Sequence, residues 1–289
     1  MRIVVSGGTG FIGGAVVAEL RRRGHDAVAG SRHGDVRLDV ADPDSLRTAF
    51  AGAGAVVNAV QFNNYPIESS RQGRTFDEVD RRGTERQVEA AQAVGVGRFL
   101  YVSGVGADVQ GRRHWFRAKG WAETAVGESG LSAFVLRPSW VYGPADQSLN
   151  RLARIARRSP LMPVIGNGRQ ALEPVFVDDV AWAVGEAVDR GVEGTYEIGG
   201  PERLTMDDVV RAMLRAMGKR RPLVHVPAVL PQLAARLVLS KLPGPPLTAD
   251  AVEFLVHDAV ADTGPLLAAM PGLPRTTLAA GLSTYRPGG

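Results

Sequence analysis

The chain contains no cysteine, which removes disulfides, thiolate metal sites and cysteine nucleophiles and suits a reducing, cytoplasmic setting. Histidine is scarce. Five scattered residues offer neither metal-ligand spacing nor a Ser-His-Asp arrangement, so no metal is expected. Long apolar runs are missing as well. The most apolar late stretch, 228–240, carries Pro231, Gln232 and Arg236 and is too short and too polar to span a bilayer. It reads as a packed amphipathic helix, with contact to a membrane surface left open. The first residues pass straight into a strand pattern, so no signal peptide is expected. Blocks of like charge are also absent. Net charge is +4, but the cations fall in short groups on separate elements without interleaved aromatics, so nucleic acid is not the expected partner. A small molecule is. Nothing in the sequence sets an oligomeric state.

What the chain has is glycine, placed where it counts. Arg2–Ser6 reads as a buried parallel strand through the apolar run Ile3, Val4 and Val5. Gly7, Gly8, Gly10, Gly13 and Gly14 follow at once, with Thr9, Phe11 and Ile12 between them. Helical spacing then runs from Ala15 to Arg23 and stops at Gly24. Strand, glycine turn and helix start together make a phosphate cradle. Gly7 permits the tight turn, Gly10 lets a pyrophosphate approach the backbone, and Gly13 lets helix and strand pack closely.

The second strand, Asp26–Gly30, ends at Ser31-Arg32-His33. In a dinucleotide fold an acid at this point binds the adenosine ribose, and a cation accommodates the extra phosphate of NADP. Ser31 and Arg32 favour NADP, with NAD still compatible, because the nearest carboxylate, Asp35, lies several residues on. Val36–Val40 is a third strand holding Asp39, and Asp42-Pro43 caps the next helix. Gly54–Val60 is a buried strand whose end, Asn58 to Val60, faces the ligand crevice. The irregular stretch 61–75 reads as a partial lid. A helix over 76–94 and a strand over 98–103 follow. The next helix, near 112–128, carries Trp115 and Lys119, and the strand over 131–141 contains Arg137-Pro138-Ser139. From Tyr142 to Glu173 the chain makes an excursion. It returns with a helix started by Asp178 or Asp179 and a last strand over 194–200. Helices broken by prolines, including a turn at 243–246, complete it.

The ordered set SGGTGFIG, the Asp39 strand end, VDRRGTERQVEAA, RFLYVSGVGA, LRPSWVYGP, VFVDDVA and YEIGGPERLT resembles the extended and atypical short-chain dehydrogenases, which include epimerase/dehydratase-like members. The nearest likeness is to the branch containing the accessory nucleotide-binding subunit of respiratory complex I. The resemblance implies an α/β, doubly wound, Rossmann-like sheet with a small, mostly helical C-terminal substrate domain. It places a dinucleotide-binding domain at 1–145 and 174–200, and the substrate side at 146–173 and 201–289. By the same resemblance Gly7, Gly10 and Gly13 hold the pyrophosphate, Ser31 and Arg32 meet the ribose, and Asp39 and Val40 line the adenine. Asn58, Ala59, Val60, Gln61, Pro138 and Ser139 line the nicotinamide half. Ser103 hydrogen-bonds a substrate oxygen, and Lys119 is the lysine of the family's Tyr-x-x-x-Lys pair.

The chain departs from the family at the tyrosine. Trp115 stands four residues before Lys119, on the same helix face. An indole N–H donates a hydrogen bond but offers no acid or base step. Lys119 remains able to hold the ribose, and Trp115 to stack, fill the pocket or donate. Tyr142, near the end of its strand, is the second candidate for proton transfer. His114 points about 100° away around the helix and reads as a surface residue. Glu68, Asp77 and Asp80 are weaker candidates, and helix capping accounts for Asp77. The leading expectation is an NADP(H)-binding oxidoreductase acting on a small hydrophobic carbonyl or quinone. A non-catalytic dinucleotide-binding redox sensor or assembly module is the alternative. A nucleotide-sugar epimerase or dehydratase is weaker, because that chemistry leans on the missing tyrosine.

Overall fold

The computed structural model describes residues 1–237, 252–253 and 256–285. Strand and helix alternate from the start: β1 (Arg2–Ser6), α1 (Phe11–Arg22), β2 (Asp26–Ser31), β3 (Val36–Arg37), α2 (Pro43–Phe50), β4 (Ala55–Asn58), α3 (Gly83–Ala93), β5 (Arg98–Val102), α4 (His114–Gly127) and β6 (Ser132–Pro138). The excursion holds β7 (Val141–Tyr142), α5 (Gln147–Arg158), β8 (Met162–Ile165) and β9 (Ala171–Leu172), before β10 (Val175–Phe176), α6 (Val177–Arg190) and β11 (Gly194–Ile198) return to the sheet. Then come β12 (Leu204–Thr205), α7 (Met206–Ala216), β13 (Leu223–Val226), α8 (Val229–Leu237) and two short helices, Gly264–Ala269 and Leu278–Ser283.

Seven parallel strands form the central sheet in the order β11-β6-β5-β4-β1-β2-β3. Side chains alternate across it, so both faces need cover. Ile3 and Val5 pack with Val16 and Leu20 of α1 and Val180 and Val184 of α6. Val4 faces the opposite way, against Leu46 and Phe50 of α2, Val88 of α3 and Val126 of α4. Each such side chain contributes about 1.5–3 kcal/mol of burial. The doubly wound, Rossmann-like sheet is therefore the one that the family resemblance implies. A third core joins Leu149 and Ala153 of α5, Met162, Val164, Val209 and Met213 beside the sheet's C-terminal edge.

Several elements differ from their sequence expectation. α1 begins at Phe11 rather than Ala15, because Gly13 and Gly14 wind into its first turn. β3 stops at Arg37, and Asp39 turns off, its N–H donating to Ser45 Oγ at 3.0 Å. The long helix divides into a π-helical segment, Phe76–Arg82, and α3. Its cap is Thr75, which accepts from the Glu78 N–H at 3.1 Å, while Asp77 pairs with Arg81 instead. α6 starts after Phe176 with no side-chain cap, so neither Asp178 nor Asp179 is the starter. Asp179 is buried and accepts from the N–H and hydroxyl of Thr276, each at 2.8 Å. α8 forms in the apolar late stretch, yet Val229, Leu230 and Leu233 stand exposed rather than packed. Residues 238–240 and the turn at 243–246 lie outside the described residues. Among the described residues no helix is long and apolar enough to cross a membrane.

Candidate functional site

The glycine turn is tight enough that side chains would collide in it. Gly7 has φ +77°, and a Cβ there would lie 2.7 Å from the Ala59 carbonyl oxygen. A Cβ on Gly13 would come within 2.2 Å of the Gly7 carbonyl oxygen, and one on Gly10 within 3.1 Å. Gly10 caps α1 without a side-chain hydrogen bond, so the first-turn N–H groups remain available to an anion. Bare backbone and a helix N-terminus meet at one point, and a pyrophosphate fits that combination.

At the adenosine end, Ser31 Oγ accepts from the His33 N–H at 3.1 Å, and Arg32 is exposed. Asp35 is turned away. It accepts from the Ala29 N–H at 3.0 Å and from Arg21 at 2.6 Å. Those partners, the Ala29 N–H first, hold its carboxyl below the usual range. The nearest acid thus serves β2 and α1.

One cavity of about 1480 Å³ runs from the glycine turn across the strand ends to α5 and α7. Gly7, Thr9, Gly10, Phe11, Ile12, Ser31, Arg32, Asp39, Val40, Ala59, Val60, Gln61, Ser103, Trp115, Lys119, Pro138 and Ser139 all line it. Three residues singled out from the sequence stand behind the wall instead. Gly13 lies under the turn. Asn58 is 1% exposed; it donates to Thr84 Oγ1 at 2.9 Å and accepts from the Val60 N–H at 3.1 Å, so it shapes the loop. Tyr142 is wholly buried and donates to the Thr277 carbonyl at 3.0 Å, which removes it as a proton donor to the cavity.

The stretch over 61–75 forms one wall and is pinned in place. Phe62, Tyr65, Ile67 and Arg74 line the cavity from it. Glu68 accepts from the Phe76 N–H and meets His114 Nε2, each at 2.7 Å. His114 is therefore a clasp on this wall rather than a free surface group. Trp115 beside it is 3% exposed, under the Arg113 guanidinium at 5.5 Å from its ring centroid.

Lys119 meets a partner that sequence reasoning missed. Its Nζ lies 2.7 Å from Asp80 Oδ1, and 5.8 Å from the Tyr101 ring centroid. Burial is the largest single influence and works against the ammonium, but Asp80 with Tyr101 and Tyr65 together raise the lysine's pKa. Burial likewise pushes Asp80 up, against the pull of Lys119. An ammonium has three donors, so one bond to Asp80 leaves others for a ribose. A signal for Asp80 existed: Phe76, Asp80, Thr84 and Val88 recur every four residues and all are buried. An acid in a buried stripe requires a cation.

Two further groups complete the wall. Ser103 Oγ donates to Glu123 Oε1 at 2.5 Å, and Arg137 holds Glu123 through both oxygens. With its proton directed there, the Ser103 oxygen is left to accept. Tyr65 packs its ring on Phe62 and Phe76, at centroid distances of 5.4 and 5.2 Å. Burial raises the Tyr65 pKa, with Lys119 opposing. Toward α5 and α7 the cavity is lined by the apolar Leu152, Ile155, Val164, Ile165, Met206 and Val210, with Gln147, Arg151, Gln170 and Asp258 among them. His257 also lines this end; burial first, then Arg113, lowers its pKa. No metal cluster occurs among the described residues.

A glycine cradle, a cavity along the strand ends and a parallel sheet define a nucleotide-binding protein of the Rossmann type. Residues 7–157 match the NAD(P)H-binding family, and the chain belongs to it. It is an NAD(P)-binding, oxidoreductase-like protein, related both to short-chain-dehydrogenase-like reductases and to the complex I branch. It is 30% identical over 259 residues to the 2-alkyl-3-oxoalkanoate reductase of Stenotrophomonas maltophilia, covering 76% of this chain and 77% of that protein. Over 285 residues it is 29% identical to the mitochondrial NADH dehydrogenase (ubiquinone) 1 alpha subcomplex subunit 9 of Arabidopsis thaliana, covering 89% and 70%. The structure of UDP-glucose 4-epimerase from Thermus thermophilus with NAD superposes with a TM-score of 0.74 over 100% of both chains, at 21% identity, which shows the shared fold.

Proposed function

We propose that the chain is an NADP(H)-dependent oxidoreductase of the cytoplasm that acts on a small hydrophobic carbonyl or quinone, with Trp115 where the family carries tyrosine. The observation that carries this reading is the single cavity joining the glycine turn to an apolar end past Lys119 and Trp115. The name of the reductase relative, whose substrate is an alkyl-bearing oxo acid, supports the apolar substrate class. Gly7, Gly10 and the start of α1 hold the pyrophosphate, Arg32 takes the NADP phosphate, and Lys119 reaches the ribose. Residues 1–145 and 174–200 serve the dinucleotide, and 146–173 and 201–289 the substrate. The reduced nicotinamide, when bound, supplies a hydride. The chain's own part is to exclude water with the 61–75 wall and to deliver a proton. We assign that proton to Tyr65, the tyrosine that lines the cavity from this wall, with Trp115 as pocket wall.

A second reading, a dinucleotide-binding module without turnover, draws on the Lys119–Asp80 pair, in which the carboxylate offsets the positive charge that would otherwise assist a proton donor. The deciding experiment measures NADPH and NADH binding by calorimetry. It then follows NADPH oxidation over a panel of 2-alkyl-3-oxo acids, long-chain ketones and quinones. Turnover with a preference for NADPH supports the enzyme. Binding without turnover across the panel supports the module.

A further inference from the structure

The chain mixes opposite charges along most of its length, but two spans carry cations and no acid; the nearest acid among the described residues, Asp207, meets His225 on the other face of the β8–β13 ribbon at 2.9 Å. No Asp or Glu occurs between Gln147 and Leu172, where Arg151, Arg154, Arg157 and Arg158 lie, all of them exposed on α5. None occurs between Val209 and Leu237 either, a span that includes Lys219, Arg220 and Arg221. The fold brings these two spans together. β8 pairs with β13 in parallel, Met162 opposite Leu223, and the Met162 N–H donates to the Pro222 carbonyl at 3.0 Å. The cations ending α5 and those preceding β13 therefore gather at the same end of this ribbon.

The ribbon's outer face is apolar. Side chains alternate along a strand, and paired residues share a face. Leu161, Pro163, Pro222 and Val224 fall on one face, and all four are exposed, while Met162 and Val164 turn into the core. α8 follows directly and presents Val229, Leu230 and Leu233, which are 62%, 56% and 51% exposed. Apolar side chains rimmed by cations, with no acid in either span, match a surface of anionic headgroups over hydrocarbon. A second copy suits this face poorly, because a twofold contact would set its arginines against one another.

We propose that α5, the β8–β13 ribbon and the start of α8 form a docking face for an anionic phospholipid bilayer. Ile155 and Pro163 line the substrate end of the cavity from these same elements. Docking sets that end against the lipid, from which an apolar substrate enters; this step rests on the substrate reading above, and the docking itself does not.

The test uses the full chain without cofactor or substrate, sedimented with vesicles of phosphatidylcholine alone or of equal parts phosphatidylcholine and phosphatidylglycerol. The protein pellets with the anionic vesicles only, and high salt releases it. The double variants R158E/R220E and L230S/L233S each reduce partitioning at least about tenfold, with circular dichroism and NADPH affinity unchanged. Wild-type protein left in the supernatant with anionic vesicles overturns the proposal. So does equal pelleting of all variants. A wild-type dimer in light scattering that L230S/L233S dissolves, without lipid binding, shows a contact between copies and also overturns it.

Discussion

Lys119 Nζ and Asp80 Oδ1 stand 2.7 Å apart, with the lysine side chain 12% exposed and the aspartate 1%. The pair ties α4 to the π-helical segment at the floor of the cavity. Removing one member strands the other charge. Lys119→Met is expected to cost about 3–5 kcal/mol of stability, because a buried carboxylate is left without its cation. The double variant Asp80→Leu/Lys119→Met recovers most of that loss. Urea unfolding of the two proteins checks it, and equal losses in both would show that the pair itself is not the cause.

The glycine turn predicts a ranking. Gly13→Ala drives a Cβ toward the Gly7 carbonyl oxygen at 2.2 Å, where backbone must move, whereas at Gly10 the distance is 3.1 Å. Gly13→Ala should therefore weaken NADPH binding more than Gly10→Ala does. Gly10→Val, with branches reaching into the pyrophosphate space, should abolish it. Calorimetry on folded variants measures all three.

Cofactor choice is expected to rest on Arg32. Arg32→Ala should weaken NADP by about 1.5–3 kcal/mol, the worth of a charge-assisted bond, and leave NAD nearly unchanged. Equal affinities for the two cofactors in the unaltered protein refute the assignment.

Proton delivery separates Tyr65 from Trp115. Tyr65→Phe is expected to lower kcat at least about 100-fold at constant NADPH affinity, and Trp115→Phe to preserve most turnover. The reverse result would make the indole N–H the transition-state donor.

Acid stability turns on Arg23, which meets Glu19, Glu186 and Asp189 at 2.7, 3.0 and 2.6 Å and joins α1 to α6. Arg22 and then Arg23 hold Glu19 below its usual pKa. At Asp189, Arg23 and His25 outweigh an opposing burial effect. Lowered carboxylate pKa values give stability that is complete above the ordinary values of 4.5 and 3.8 and is lost as pH falls further. Arg23→Met should cost about 2–4 kcal/mol near neutrality and flatten that acid decline. Thermal unfolding across the acid range reads both effects.

What the sequence made legible was local. The strand at Ile3–Val5, the glycine turn, and the four-residue spacing from Trp115 to Lys119 depend on neighbours along the chain, and each is where its pattern puts it. Partners far apart in sequence were not legible. Asp80 lies 39 residues from Lys119, and Glu123 lies 20 from Ser103. Strand ends proved half-readable: position along a strand says which edge of the sheet a residue reaches, but not which way its side chain turns. Asn58 and Tyr142 sit near that edge, yet both point into protein.

Tyr142 and Tyr285 carry a consequence for synthesis. The phenol of Tyr285 donates to Asp146 and accepts from the Gly143 N–H, while that of Tyr142 donates to the Thr277 carbonyl. The point where the excursion leaves the sheet is thus fastened by residues 135 and 142 positions further along the chain. A chain emerging from the ribosome can assemble the strands around β1 early, since their partners are already present. The apolar end of the cavity must wait for Tyr285. Until then Leu149, Met162 and Met213 lack part of their cover, and the cavity is unfinished at the end they support.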